Sequence, residues 1–209
     1  VGALTLSAFT ASCRVPRDSL ERLAEVGAFD SLDTRRRDAL WNVLDRTARS
    51  QDLLVEHCEE HPAFHPLSEA EEITWDYLAS DQSSRGHLME QHRQQLRREG
   101  LPDAAEVSRM AHGHKVSLAG CAICRQMPGT ASGVLFMTLE DETGFANLVV
   151  WEKVYRQYRT LILTNWLIGV TGHLQIAEGV VHIIAESFWV PDFIHGQQRQ
   201  SAPSSHDFR

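Results

Sequence analysis

The sequence predicts an α+β fold, with a helical N-terminal region, a helical connector and a C-terminal β-barrel. Two observations carry this. Up to about residue 110 apolar side chains recur every three or four positions, and from Lys115 onward they recur every two. Within the second pattern, "DETG" at 141–144 and "EG" at 178–179 interrupt apolar runs, as the turns of β-hairpins do. The organisation expected is a helical region over 1–50, an acidic connector over 51–110, a barrel over 111–192 and a flexible tail over 193–209.

The helical region begins with "VPRDSLERLAEVGAFDSL". Asp18 or Ser19 can cap a helix there, Leu20, Leu23 and Ala24 share one face, and Gly27 sits where a helix end favours a left-handed residue. A second helix is expected after Asp33 or Thr34, with Leu40, Val43, Leu44 and Thr47 inward and Trp41 beside them. Helix, short glycine turn, helix is the outline of a helix-hairpin-helix element, whose hairpin amides can hold a DNA phosphate; plain helical packing gives the same outline. Arg35, Arg36 and Arg37 at the second helix start are either a solvated surface or phosphate contacts. Gly27 and Arg35 are therefore candidate DNA-binding residues.

In the connector, Ser68 and Glu71 form a capping box for a short helix that buries Ile73, Trp75, Tyr77 and Leu78. "HLMEQHRQQLRREGL" is a further helix, with Leu88, Met89, His92 and Leu96 on one side and Gly100 at its end. His57, His61 and His65 recur every four residues, but Pro62 and Pro66 break any helix that would align them on a metal, so they are read as loop histidines.

Beyond Lys115, "KVSLAGCAICRQMP" is a first strand with Val116, Leu118 and Gly120 on one face. "GVLFMTLE" and "FANLVVW" make a hairpin, and "KVYRQYRTLILT" is a helix with Val154, Tyr158 and Leu161 aligned. A second hairpin turns at Glu178 and Gly179. Three strands, a helix and two strands is the order of an OB-fold, whose strands two and three commonly carry oligonucleotides. Phe136 and Trp151 can stack bases or fill the core; Phe136, in a strand apolar on both faces, is expected in the core, and Trp151 is open between the two. Arg125, Lys153, Arg156 and Arg159 can line a phosphate track or be solvated, and Asn147 can bond a base edge. Cys121 and Cys124 form a lone CxxC without further ligands, are placed on opposite strand faces, and are read as small apolar fillers. No nucleophile, paired catalytic carboxylate or phosphate loop is assembled, so no catalytic or metal residue and no cofactor is assigned.

The net charge of -8 argues by itself against a nucleic-acid partner, and composition permits one only through its uneven distribution. Of 209 residues 43% are hydrophobic, enough for two small cores. No apolar run approaches a membrane span, no secretory leader opens the chain, and four scattered cysteines suit a reducing compartment, so the reading is a soluble cytoplasmic protein with no membrane partner. The net charge of -8 is uneven: residues 1–50 hold 8 basic and 7 acidic side chains, 51–110 hold 5 and 13, and 111–209 hold 7 and 8. Both ends thus keep room for a local basic surface.

The stretch "RQMPGTASGVLFMTLEDETGFANLVVWEKVYRQYR" at 125–159 closely resembles the OB domain of bacterial error-prone DNA polymerases of the C family, paralogues of the polymerase III alpha subunit. "LERLAEVGAFDSLDTRRRDALW" is similar to that family's tandem helix-hairpin-helix region, "LSEAEEITWDY" and "GHLM" to its connector, and "GVVHIIAE" to its last strand. The resemblance implies the C-terminal portion of a translesion enzyme of the SOS response. It implies single-stranded and primer-template DNA as partners. It further implies magnesium only for the parent's palm carboxylates, upstream in that family, and so a chain that binds without catalysing. The ending "SSHDFR" resembles the family's C-terminus, whereas "VGALTLSAFTASC" lacks the family look, as a truncated or altered start would. Ser132 stands where the family carries a lysine. An alternative is a protein-interaction module for the sliding clamp or accessory proteins, on the strength of "QDLLV" at Gln51–Val55, in which Val55 replaces the expected aromatic.

Overall fold

The computed structural model describes residues 5–13, 15–32, 35–51, 63–130 and 133–191, the side chains of 7, 11 and 46–51 excepted. The chain divides into two compact units, Val1–Ser83 and Ser84–Arg209.

The first unit holds α1 (Leu6–Ser12), α2 (Arg17–Glu25), a single 3₁₀ turn at Asp30–Leu32, α3 (Arg36–Gln51) and α4 (Glu69–Ser80). Pro16, rather than Asp18 or Ser19, caps α2. Its fixed φ leads directly into the first turn. The far end closes as expected at Gly27, with φ of 74°: the Ala28 amide donates to the Leu23 carbonyl at 2.9 Å and the Gly27 amide to Ala24 at 3.1 Å. Leu20, Ala24, Phe29, Ala39 and Val43 form the core with Leu6.

The inward stripe of α3 is Arg36, Ala39 and Val43, while Leu44, expected inside, is exposed with Trp41. The reason is Arg36. Its Nη2 donates to Asp76 Oδ1 at 2.5 Å and its guanidinium lies 5.8 Å from the Trp75 ring centre, both reached only from the buried side. Burying position 36 carries 39 and 43 inward with it. The three arginines thus separate: Arg36 is structural, Arg37 donates to the His65 carbonyl at 3.3 Å and Arg35 is exposed. The capping box of α4 forms as expected, Ser68 N donating to Glu71 Oε2 at 2.8 Å and Glu71 N to Ser68 Oγ at 3.3 Å. Asp33, Thr34, His57, His61, Ser132, residues 52–55 of the clamp-like stretch and the tail from 192 lie outside the described residues.

The second unit contains α5 (Leu88–Arg98), α6 (Ala104–Val107), β1 (Lys115–Gln126), β2 (Leu135–Asp141), β3 (Gly144–Val150), α7 (Glu152–Thr164), β4 (Leu167–Ala177) and β5 (Val180–Trp189). The strands close into a barrel in the order β1-β2-β3-β5-β4, antiparallel except for β3 with β5. Val116, Leu118, Leu139, Leu148, Val170 and Ile183 are among its buried lining, and Ile162 of α7 joins them. At Gly169 the ring of Trp189 lies so close that a Cβ would sit 2.2 Å from it, so any side chain there displaces the tryptophan.

The expected connector is not one element: α4 belongs to the first unit, and α5 and α6 to the second. Met89 and Leu96 of α5 bury a small core with Ala119, Cys121 and Leu167 on the outside of the barrel. Beside them Arg93, on a helix read as simply amphipathic, is buried. Its Nη2 donates to Asp141 Oδ2 at 2.9 Å and to Glu142 Oε2 at 3.0 Å, and its Nε also reaches Glu142. Asp141 accepts in addition from the Ala104 amide at 2.8 Å, the Thr143 amide at 2.8 Å and the Thr143 hydroxyl at 2.7 Å. The β2–β3 turn therefore fastens two helices as well as reversing the chain.

A bulge between Ala122 and Cys124 shifts β1 against β2, pairing Cys121 with Glu140 and Cys124 with Thr138. Both cysteines consequently lie on the outer face rather than on opposite faces. Cys121 is covered by α5, and burial pushes its thiol well above the usual range, which makes it a packing group.

Asp141→Ala is expected to lower the unfolding free energy by at least about 2 kcal/mol, because it leaves buried Arg93 with Glu142 alone and removes the acceptor of the Ala104 and Thr143 amides. Arg97→Ala, removing a largely exposed partner of Asp103, is expected to cost less than about 1 kcal/mol. Urea unfolding of the two variants checks both; equal losses would show that the Asp141 cluster adds nothing.

Candidate nucleic-acid interface

Strand alternation builds an open face. In β2, Leu135, Met137 and Leu139 point inward while Phe136, Thr138 and Glu140 point outward; in β3, Ala146, Leu148 and Val150 are buried beneath Phe145, Asn147 and Val149. Phe136, expected in the core, is 41% exposed. Of the apolar residues expected on that second face Val134 is buried, while Phe136 stands exposed beside Thr138 and Glu140. Phe136 lies opposite Val149 and Thr138 opposite Asn147. The parallel pairing of β3 with β5 sets His182 beside Asn147 and Ile184 beside Val149, and β4 then adds Gln175 and His173. Two rows result, Phe136–Val149–Ile184–His173 and Thr138–Asn147–His182–Gln175. α5 covers the neighbouring end of the face, over Ala119 and Cys121, and so bounds it.

Trp151 follows Val149 by two positions, at the junction of β3 and α7, and is 54% exposed. Lys153, Arg156 and Arg159 are exposed on α7, and Arg156 donates to Glu152 at 2.5 Å. Arg125 does not join them. It is buried, donating from Nε to the Ile162 carbonyl at 2.9 Å and from Nη2 to the Asn165 carbonyl at 2.7 Å, and so caps the C-terminal end of α7. The β1 bulge turns it inward, and no periodicity in the sequence marks that bulge. Gly27 and Arg35 lie in the first unit. The amides of Gly27 and Ala28 are taken up by the end of α2, and Arg35 is exposed.

Phe145, Val149, His173, Gln175 and His182 were absent from the candidate set. Alternation in "GFANLVV" already groups Phe145 and Val149 with Asn147, whereas the three β4 and β5 residues join only through strand register. Glu186, also on this side, accepts from His173 Nδ1 at 3.2 Å and lies 3.4 Å from Lys115 Nζ. The His173 hydrogen bond and then Lys115 hold its carboxyl below the usual range. Among the described residues no three His, Cys, Asp or Glu converge as a metal site, and no helix is long and apolar enough to cross a membrane.

A closed five-stranded barrel with a helix between its third and fourth strands, open on its β2–β3 face, is an OB-fold, and residues 116–191 match the family model described as an OB-fold nucleic acid binding domain. Over most of its length the chain also aligns with the error-prone DNA polymerase of Ruegeria pomeroyi, at 41% identity over 80% of the chain and 16% of that protein. It aligns with that of Caulobacter vibrioides at 38% identity over 90% of the chain and 18% of that protein. The chain is thus similar to the error-prone DNA polymerases and spans less than a fifth of the length of these curated relatives. Among solved structures, asparaginyl-tRNA synthetase from Pyrococcus horikoshii complexed with asparaginyl-adenylate aligns over 43% of this chain and 22% of its own, at 23% identity and a TM-score of 0.38.

Phe136→Ala is expected to change stability by no more than about 1 kcal/mol, as a solvent-facing substitution. Arg125→Ala, which leaves helix-end carbonyls without their donor, is expected to cost at least about 2 kcal/mol. Thermal melts of the two variants check this assignment, and the reverse order would return Phe136 to the core.

Proposed function

We propose that the chain is the DNA-binding portion of an error-prone, translesion polymerase, and that its barrel holds the single-stranded template on the outer face of β2 and β3. The carrying observation is an outer face of β2 and β3 with exposed Phe136 and Phe145 and half-buried Val149 beside Asn147 and Thr138, on a domain whose family model is nucleic-acid binding. Rings on a rigid sheet stack bases without regard to sequence, each contact contributing roughly 1–3 kcal/mol. Lys153 and Arg159 on α7 supply phosphate contacts, and Asn147 bonds a base edge. The helical first unit, in this reading, is a helix-hairpin-helix region that meets the duplex through exposed Arg35. Nucleotide addition with magnesium and the role in SOS mutagenesis in the cytoplasm then belong to the longer polymerase of which such a segment is part. Docking to the clamp or accessory proteins rests on residues 51–55, and no observation favours it over DNA.

Fluorescence anisotropy with a labelled single strand is expected to show weak binding without strong sequence preference. Its salt slope is expected to be no steeper than about -3, since the face carries few cations and each phosphate contact adds about -0.7 on a single strand. Phe136→Ala is expected to weaken binding about tenfold. Primer extension with magnesium and all four nucleotides is expected to yield no product from this chain. Absence of binding at low salt by the folded protein, or template-dependent extension, overturns the proposal.

A further inference from the structure

At the β4 and β5 side of the open face, those strands and the start of α7 border an open groove of about 540 Å³. Trp151 forms one wall, buried Ile184 lies at its base, and Gln157 and Gln175 edge it, with Lys153 at the rim. We propose that this groove receives one unpaired nucleobase of the strand, next to those stacked over Phe136; the inference rests on the reading of that face as a single-strand interface.

The chemistry of the lining fits a flat heteroaromatic ring. Trp151 offers a π-face, and each glutamine amide offers a donor and an acceptor side by side, the pairing that reads adenine N6 and N7. Gln175 is exposed and its amide projects from the row that also carries His182 and Asn147, so the same strand register serves both sites. Trp151 stands two positions beyond Val149, within about 7 Å along the strand, which is one nucleotide's reach for an extended chain. The acidic member of the lining, Glu186, has its oxygens engaged by His173 and Lys115, which reduces its repulsion of a phosphate. A peptide occupant fits less well. The closed barrel leaves no strand edge for β-addition, so main-chain pairing cannot hold an extended peptide there.

The test uses the full chain, an oligodeoxyadenylate, an oligothymidylate and an abasic strand of equal length. Trp151→Ala is expected to weaken binding of oligodeoxyadenylate about tenfold while leaving the abasic strand at wild-type affinity. Trp151→Phe is expected to retain most of the binding. Gln175→Leu, at an exposed strand position and so independent of any folding defect at Trp151, is expected to weaken oligodeoxyadenylate about fivefold more than oligothymidylate. If the wild type binds and Phe136→Ala weakens it, while Trp151→Ala and Gln175→Leu both bind like the wild type, the groove is rejected and the face stands. If the folded wild type binds none of the strands, the face and the groove are rejected together.

Discussion

The carboxylate of Asp141 is buried at the end of β2 and accepts from Arg93, from the Ala104 amide and from both donors of Thr143. A buried charge is tolerated only where such partners replace water, so strand end, turn, α5 and the N-terminal end of α6 are ordered together or not at all. Two consequences follow. The β2–β3 hairpin is held in register at its tip, and α5 is seated against β1, where Met89 and Leu96 cover Ala119 and Cys121. The part of the outer surface left open is what α5 does not cover.

That open part is shaped by a second constraint, the bulge in β1. By shifting register between Ala122 and Cys124 it sends Arg125 inward to the last turn of α7. α7 is then fixed at its far end by a β1 cation and along its length by Val154, Tyr158 and Ile162 against the barrel. Trp151, at the near end, is positioned by a helix whose other end is anchored in the opposite part of the sheet.

Much of the barrel was legible because its signals are local. The alternation of "LFMTLED", the turn at Glu178 and Gly179, and the 3–4 spacing of Val154, Tyr158 and Leu161 each depend on residues close in the chain. The open face was only half legible. Phe136 was placed inside because apolar neighbours on both sides of a strand look the same whether the second face is covered by protein or left open for a ligand. Arg125 was placed outside because a bulge has no periodicity of its own. In the first unit, Arg36 escaped for a related reason: its partner Asp76 lies 40 residues away, and nothing local distinguishes it from Arg35 or Arg37. His173, Gln175 and His182 are brought to Asn147 and Val149 only by the parallel pairing of β3 with β5, which no short stretch announces.

The bulge also sets how this domain can vary. Substitution at an exposed outward position of β1 such as Gln126 alters surface alone, but loss or gain of one residue between Ala122 and Cys124 reverses the facing of everything after it. Arg125 would then turn to solvent and its neighbours would turn into the barrel. Strand length here is consequently far less free to drift than strand composition, and insertions that the family explores should gather in the β1–β2 loop beyond Gln126 rather than within the strand.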